Sequence, residues 1–93
     1  MKVFLKIISP KLSPIGMKEF TIVDERQNIS TQDVVLKLKN ISNDLYSEIS
    51  NDGIIHPNYL CIVNNEIIMY NQRNTASLKD GDNMIISFVM AGG

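Results

Sequence analysis

The residues best suited to chemistry are the last ones, because the sequence ends in Met90-Ala91-Gly92-Gly93. Glycine has no Cβ, so the backbone of Gly92 and Gly93 can enter a space too narrow for other residues. Chain ends are usually mobile unless they are tied down. The glycine pair therefore predicts a thin arm that presents the Gly93 carboxylate to the active site of another protein. The alternative is a tail that takes part in no reaction.

The other reactive side chains give little support to catalysis by this chain. Cys61 is the single cysteine and His56 the single histidine. One cysteine excludes an internal disulfide, a multi-cysteine metal cluster and a four-cysteine iron–sulfur site. Cys61 lies in an apolar segment, so we expect a structural thiol. We predict no metal site and no catalytic acid or base in this chain, which fits chemistry hosted by a partner.

Length and charge narrow the possible classes of protein. The chain has 93 residues, of which 44% are hydrophobic, and a formal net charge of -1. This length predicts one domain over residues 1–93, with a flexible tail over about 90–93. The near-neutral charge gives no broad attraction to nucleic acid or to an anionic membrane. No bilayer-spanning run or signal peptide is visible, so we expect a cytoplasmic protein.

Five segments carry the alternating or apolar patterns of β-strands. The predicted strands cover residues 2–8, 19–23, 59–63, 66–70 and 83–89. Pro10, Pro14 and Gly16 indicate a loop after the first strand. Asn64-Asn65 predicts a tight hairpin, and residues 71–77 are expected to form a polar loop. Asp80-Gly81-Asp82 is expected to form the turn before the last strand.

One amphipathic helical segment lies between these strands. Ser30 can cap its start, and Asp33 stands three residues later, close to a capping box. Poor helix formers at residues 40, 42, 43 and 44 leave open whether residues 31–52 form one helix or two. Gly53 is the expected terminator. The residues predicted to form one buried helical face are Val34, Leu38, Ile41, Leu45 and Ile49.

The element order predicts an α+β protein. A mixed sheet of about five strands with one main helix packed across it satisfies the order, with the first and last strands parallel at the centre. This arrangement is the β-grasp, or ubiquitin-like, fold. A ferredoxin-like sheet would require a second helix, for which residues 71–79 are too short and too polar.

Two motifs and the tail give a family resemblance. Ile62-Val63-Asn64-Asn65-Glu66 resembles the "V-N-x-E" hairpin of ubiquitin-like sulfur carriers, and Leu78-Lys79-Asp80-Gly81-Asp82 resembles their "L-x-D-G-D" turn. A hydrophobic strand and Gly92-Gly93 follow the second motif. In this order the segments resemble the MoaD and ThiS family, above all the molybdopterin synthase small subunit. Phe88-Val89 stands where many members carry prolines. The segment 44–58 is longer than in compact thiamin-type carriers.

The resemblance implies a carrier or cosubstrate, not an enzyme. An adenylyltransferase resembling ubiquitin-activating enzymes would use ATP to adenylate Gly93, and a sulfur donor would displace AMP to leave a thiocarboxylate. The synthase large subunit, or another sulfur-accepting enzyme, would then take the sulfur. Gly92 would keep the arm slim. This chain itself is expected to bind no cofactor.

A rigid surface beside the arm is expected to dock the partner. Met84 and Ile86 alternate toward the core on the last strand. The predicted partner-binding residues surround the start of the arm, and Phe88 would leave the core to join them; the alternative is that the protein's own loops cover this strand. The set comprises Ile85, Phe88, Val89, Met90 and Ala91.

Three other functions remain open at this point. The sulfur acceptor can belong to cysteine synthesis, thiamin synthesis or tRNA thiolation instead of molybdopterin synthesis. A ubiquitin-like modifier would use the same activated Gly93 to form isopeptide bonds with lysines. A β-grasp interaction module would keep an inert tail.

Overall fold

Nine strands and two helices follow one another along the residues that the structure, a computed structural model, describes: 1–12, 16–72 and 75–89. In chain order they are β1 (Lys2–Ile8), β2 (Met17–Val23), β3 (Asn28–Ser30), α1 (Thr31–Ile41), α2 (Asn43–Ile49), β4 (Ser50–Asn51), β5 (Ile54–Ile55), β6 (Tyr59–Val63), β7 (Glu66–Ile67), a 3-10 helix (Tyr70–Gln72), β8 (Ser77–Lys79) and β9 (Asn83–Phe88).

Five of these strands form the main sheet. Their spatial order is β2-β1-β9-β6-β7, and β1 and β9 are parallel neighbours while the other pairs are antiparallel. The first long strand and the last strand therefore lie side by side at the centre. This is the ubiquitin-like β-grasp arrangement, and the predicted fold class is confirmed.

The core lies between one face of the main sheet and the helices. Strand residues alternate between the two faces, so β1 buries Val3, Leu5 and Ile7 while Phe4 and Ile8 stay exposed. On β9, Met84 and Ile86 are fully buried. From the helices, the core takes Val34, Val35, Leu38, Leu45, Tyr46 and Ile49. Burial of this apolar surface is the main force that holds the helices on the sheet.

The helical segment is two helices, where one main helix was predicted. Ser42 has an extended backbone (φ -151°, ψ 93°) and ends α1, and its hydroxyl accepts the Leu45 N–H at the start of α2. A side-chain cap of this kind satisfies an amide that a helix start leaves unpaired. The start of α1 carries the complete Ser30–Asp33 capping box. No helix among the described residues has both the length and the apolarity needed to cross a bilayer.

The break at Ser42 also explains a wrong core prediction. Ile41 is 53% exposed, whereas Leu38, one turn earlier, is fully buried. The sequence pattern assumed a continuous helix, in which Ile41 and Leu45 share a face. Because α1 ends at Ile41 and a separate helix begins at Asn43, Ile41 is not part of the buried face, which continues in α2 through Leu45, Tyr46 and Ile49.

Several short elements depart from the predicted boundaries. The β7 strand ends at Ile67 instead of residue 70, and the expected polar loop contains the 3-10 helix and the first residue of β8. Gly53 does not end a helix; with φ +81° it lies in the turn between β4 and β5, after α2 has ended at Ile49. A Cβ at Gly53 would lie 3.0 Å from a Leu36 methyl carbon, so the site also favours glycine for space.

A cluster of charged residues connects the segment after β2 to helix α1. The Asp24 carboxylate accepts two hydrogen bonds from the Arg26 guanidinium, at 3.0 and 2.9 Å, and lies 3.3 Å from Lys37 Nζ. The Arg26 side chain and backbone hydrogen bonds are the main cause that holds the pKa of Asp24 well below its usual value. The cluster therefore joins the end of β2 to the middle of α1.

Candidate functional site

The two motif segments contact each other through Asn64 and Asp82. Asn64 Nδ2 donates to Asp82 Oδ1 at 3.0 Å, and the Asn83 N–H donates to Asn64 Oδ1 at 2.9 Å. Asp82 Oδ2 also accepts the Lys79 N–H at 2.9 Å. Asn64 and Asn65 have positive φ, as a tight hairpin turn requires. The hairpin and the turn are thus one connected unit.

The same turn is fixed to the start of β1. The Lys2 N–H donates to Asp80 Oδ1 at 2.7 Å, and the Gly81 N–H donates to the Lys2 carbonyl at 2.8 Å. The Phe4 N–H donates to the Asp82 carbonyl at 2.9 Å. Gly81 has φ +86°, a conformation that suits glycine. These contacts set the parallel register of β9 beside β1. The motif residues therefore help to fix the position of the strand that leads to the tail.

One row of side chains crosses the sheet face opposite the helices. Register pairs link Glu19 to Lys6, Lys6 to Ile85, Ile85 to Ile62, and Ile62 to Ile67. Residues paired in this way point to the same side of a sheet. The row begins with the Lys6–Glu19 ion pair, 3.8 Å between Nζ and Oε1, and ends in three isoleucines.

We call this surface the open face. Phe4 is 46% exposed and Ile67 62% exposed, while Ile85 is half-buried. A shallow groove lies between the strands and is lined by Phe4, Lys6, Glu19, Thr21, Asn83 and Ile85, among others. Apolar residues this closely grouped on a surface are typical of protein-binding sites. The apolar residues that strand register places on the open face are Phe4, Ile8, Met17, Val23, Leu60, Ile62, Ile67 and Ile85.

Of the predicted partner-binding residues, Ile85 and Phe88 lie on opposite faces. Ile85 belongs to the open face. Phe88 follows the alternation of Met84 and Ile86, is half-buried, and packs against the core. Its ring meets the ring of Tyr59 edge-on, with centroids 5.5 Å apart and planes at 74°. Phe88 has not left the core to join an exposed patch with Ile85, because the strand alternation continues to the end of β9.

Val89 is the last described residue before the tail. Its side chain is 40% exposed, and its N–H donates to the Asn58 carbonyl at 2.8 Å, one step beyond the ladder of β6 and β9. The predicted site residues Met90, Ala91, Gly92 and Gly93 lie outside the described residues. The described part of the site therefore consists of the open face and the segment that leads into the tail.

A buried polar contact beneath this segment was not foreseen from the sequence. Tyr59 is 1% exposed, and its hydroxyl lies 2.9 Å from the Ser9 hydroxyl. Burial raises the pKa of Tyr59, and the nearby Glu48 carboxylate raises it further, while the bond to Ser9 opposes the rise. A tyrosine in an apolar strand is consistent with core packing, and nothing in the sequence pattern points from it to Ser9, fifty positions away.

Cys61 is buried in the middle of the same strand. It is 0% exposed and lies opposite Ile86 in the register of β6 and β9. This burial supports the structural role expected for the thiol. Within residues 1–12, 16–72 and 75–89, no three His, Cys, Asp or Glu side chains are grouped closely enough to hold a metal ion.

Comparison with known proteins finds similarity in structure only. Neither a family model nor a curated protein sequence matches the chain. The solution structure of the Haloferax volcanii HVO 2177 protein superposes with a TM-score of 0.71 at 19% identity, covering 100% of this chain and 87% of that one. The crystal structure of SAMP1 from Haloferax volcanii gives a TM-score of 0.68 at 16% identity and covers 100% of both chains.

A third similar structure is the small archaeal modifier protein 1 (SAMP1) from Methanosarcina acetivorans, solved in solution. Its TM-score is 0.63 at 17% identity, and the match covers 100% of this chain and 99% of that one. At these identities the likeness establishes the fold. The match over nearly the full length of each protein agrees with the ubiquitin-like β-grasp architecture.

Proposed function

We propose that this protein is a ubiquitin-like sulfur carrier whose Gly93 carboxylate is activated by a partner enzyme. The observation that carries the proposal is the path of β9. This strand lies at the centre of a β-grasp sheet, its register is set by the Asp80-Gly81-Asp82 turn, and it leads through Val89 toward Gly92-Gly93. The similarity in fold to two SAMP1 proteins adds support.

The proposed chemistry takes place on the carbonyl carbon of Gly93. A carboxylate is a poor electrophile, so an adenylyltransferase of the ubiquitin-activating class joins it to AMP from ATP and releases pyrophosphate. Sulfide attacks the carbonyl carbon and AMP leaves, which gives the thiocarboxylate directly. A persulfide donor instead gives an acyl disulfide when AMP leaves, and a second thiol then attacks the donor's sulfur, forms a disulfide with it and releases the thiocarboxylate. Molybdopterin synthesis is the first acceptor pathway to test, since the motifs resemble the small subunit of that synthase.

The open face is the proposed docking surface for the activating enzyme. Val89 continues the alternation of Ile85 and lies where the chain leaves β9 toward the tail. A partner that receives Gly93 must cover the surface beside this exit. Ile8 and Leu60, both paired with Ser87, lie nearest this exit. The apolar surface continues through Ile85 to Phe4, which is paired with Asn83 at the far end of β9, and the Lys6–Glu19 pair marks its polar edge. Met90 and Ala91 are proposed to extend the contact along the arm.

A second candidate is a protein modifier. The names of two proteins of similar structure, SAMP1 and small archaeal modifier protein 1, favour it. In this function a lysine amine attacks the activated carbonyl of Gly93, and AMP leaves as the isopeptide bond forms; if a thiol displaces AMP first, the amine displaces that thiol from the thioester. The carrier and the modifier share the adenylation step and differ only in the final nucleophile.

Adenylation tests the proposal directly. The wild-type protein and a variant that lacks Gly93 are incubated with the cognate activating enzyme, ATP and Mg²⁺, and pyrophosphate release is measured. We expect release with the wild type and none above background with the truncated variant, while both give the same circular dichroism spectrum. Equal release from the two proteins would refute activation at Gly93.

A further inference from the structure

We infer that Phe88 and Tyr59 form a positioning clamp that fixes where the free arm begins. This inference rests on the proposed function, since the arm is the part that reaches the partner's active site. The clamp comprises the edge-on contact of the two rings and the hydrogen bond from the Val89 N–H to the Asn58 carbonyl. Tyr59, which contacts Phe88, and Asn58, which accepts the Val89 N–H, are consecutive residues at the start of β6.

Two further hydrogen bonds connect Tyr59 to the loop between β1 and β2. The Tyr59 ring is 1% exposed, and its hydroxyl lies 2.9 Å from Ser9, the residue that follows β1. The Ser9 N–H in turn donates to the Gly16 carbonyl at 2.9 Å, just before β2. The end of β9 is therefore held from β6 on one side and from the β1–β2 connection beneath it. Edge-on aromatic pairs add stabilisation beyond the area that they bury.

The position of the clamp sets the length of the arm. With Val89 held, the stretch from residue 90 to Gly93 must reach the reacting centre, and four residues span at most about 14 Å when fully extended. If the clamp opens, Phe88 and Val89 join the arm and must be ordered each time it enters the partner. Ordering each residue lowers the population of the productive arrangement by roughly tenfold. The clamp thus removes that entropy loss before binding.

The location of Phe88 predicts a specific kinetic signature. Phe88 faces the core and the proposed docking surface is the opposite face of the sheet. Removing its ring should leave binding of the body unchanged and reduce the fraction of bound molecules whose arm is in place. We expect Phe88→Ala to lower kcat for adenylation by about 10- to 100-fold with little change in KM.

Two further variants separate positioning from stability. Tyr59→Phe keeps the ring pair but removes the hydroxyl that contacts Ser9, so it should lower kcat by less than Phe88→Ala does. Val63→Ala removes packing at the other end of β6, opposite Met84, and should lower the unfolding midpoint while kcat stays near the wild-type value. Amide hydrogen exchange in the isolated proteins gives a readout that needs no partner: the Val89 amide should exchange faster in Phe88→Ala than in Val63→Ala.

The outcomes distinguish this inference from the proposed function. If the wild type is not adenylated, the proposed function fails. If the wild type is adenylated and a folded Phe88→Ala variant has the same kcat, the positioning role is overturned. A fall in kcat equal to that of a Val63→Ala variant of matched stability, or unchanged exchange at Val89, would overturn it too.

Discussion

Asn64 and Asp82 are short polar side chains that join segments far apart in the sequence. Asn64 contacts Asp82 and Asn83, and Asp82 also holds the Lys79 amide. The motifs that gave the family resemblance are thus explained by the geometry of the turn. Each carboxamide or carboxylate oxygen pairs with a donor that would otherwise lack a partner in the turn. Through these contacts the two residues help to set the path of β9.

The Asp24 cluster predicts a pH-dependent stability. Its contacts with Arg26 and Lys37 hold the pKa of Asp24 below the usual 3.8, so in acid the unfolded chain takes up a proton that the folded protein does not. This stabilisation is present above about pH 5 and is lost as the pH falls toward 3 and below. Asp24→Asn should flatten the fall of the free energy of unfolding over that range, as measured by urea denaturation at several pH values.

A neighbouring carboxylate provides the control for this prediction. Glu25 is exposed and stands next to Asp24 in the chain. Glu25→Gln removes one negative charge from the same turn and should keep the wild-type slope. If Asp24→Asn and Glu25→Gln give the same pH profile, the cluster does not have the role assigned to it.

Among the elements, the long strands were predictable from the sequence, whereas the helix break was recognised only as one of two possibilities. In β1 and β9 the buried and more accessible residues alternate, because one face packs on the core. The helical stripe from Val34 to Ile49 has the right spacing for one helix, and only the poor helix formers at residues 40 and 42–44 indicated a possible break. The break depends on the Ser42 backbone and its two capping contacts, which spacing alone does not reveal.

A pair of helix variants measures the effect of this break. Leu38 is fully buried, whereas Ile41 is 53% exposed. Leu38→Ala leaves a cavity and should lower the free energy of unfolding by about 2–5 kcal/mol. Ile41→Ala should change it by no more than about 0.5 kcal/mol. Chemical denaturation of both variants checks the prediction, and equal losses would mean that Ile41 is part of the core after all.

In β9, the sequence predicted some of the residues of the candidate site and missed others. Alternation correctly placed Met84 and Ile86 in the core, and it also applies to Phe88, whose ring packs on Tyr59. The open face was only partly foreseen: Ile85 was identified, but Phe4 and Ile62 come from other strands. Their grouping depends on sheet order and register, in which residues more than fifty positions apart become neighbours.

At the scale of the whole molecule, the sheet has two different faces. One face packs against both helices, and the other carries Phe4, Ile62 and Ile85 at its centre. A tail of a few residues gives little affinity by itself because ordering it costs conformational entropy. In the proposed function the apolar open face would provide the binding energy that the tail lacks.

Substituting one exposed residue on the open face and one on the helical side tests which of the two surfaces docks the partner. Phe4 on the open face is 46% exposed, and Leu36 on α1 is 42% exposed. Phe4→Asp should raise KM for the carrier in adenylation by at least about tenfold, with kcat unchanged, because a charge replaces an apolar anchor. Leu36→Asp should leave both constants near their wild-type values. If Leu36→Asp raises KM and a folded Phe4→Asp variant does not, the partner docks on the helical side.

The intact mass of the protein isolated from its own cells tests whether Gly93 carries sulfur. We expect part of the protein to carry one sulfur in place of oxygen, and fragmentation to locate the exchange at Gly93. Cys61 is buried in the core and should be unmodified in the same spectrum. Peptides that carry the tail linked to lysines, without any thiocarboxylate, would favour the modifier. A terminus that is never thiolated or conjugated would contradict the account.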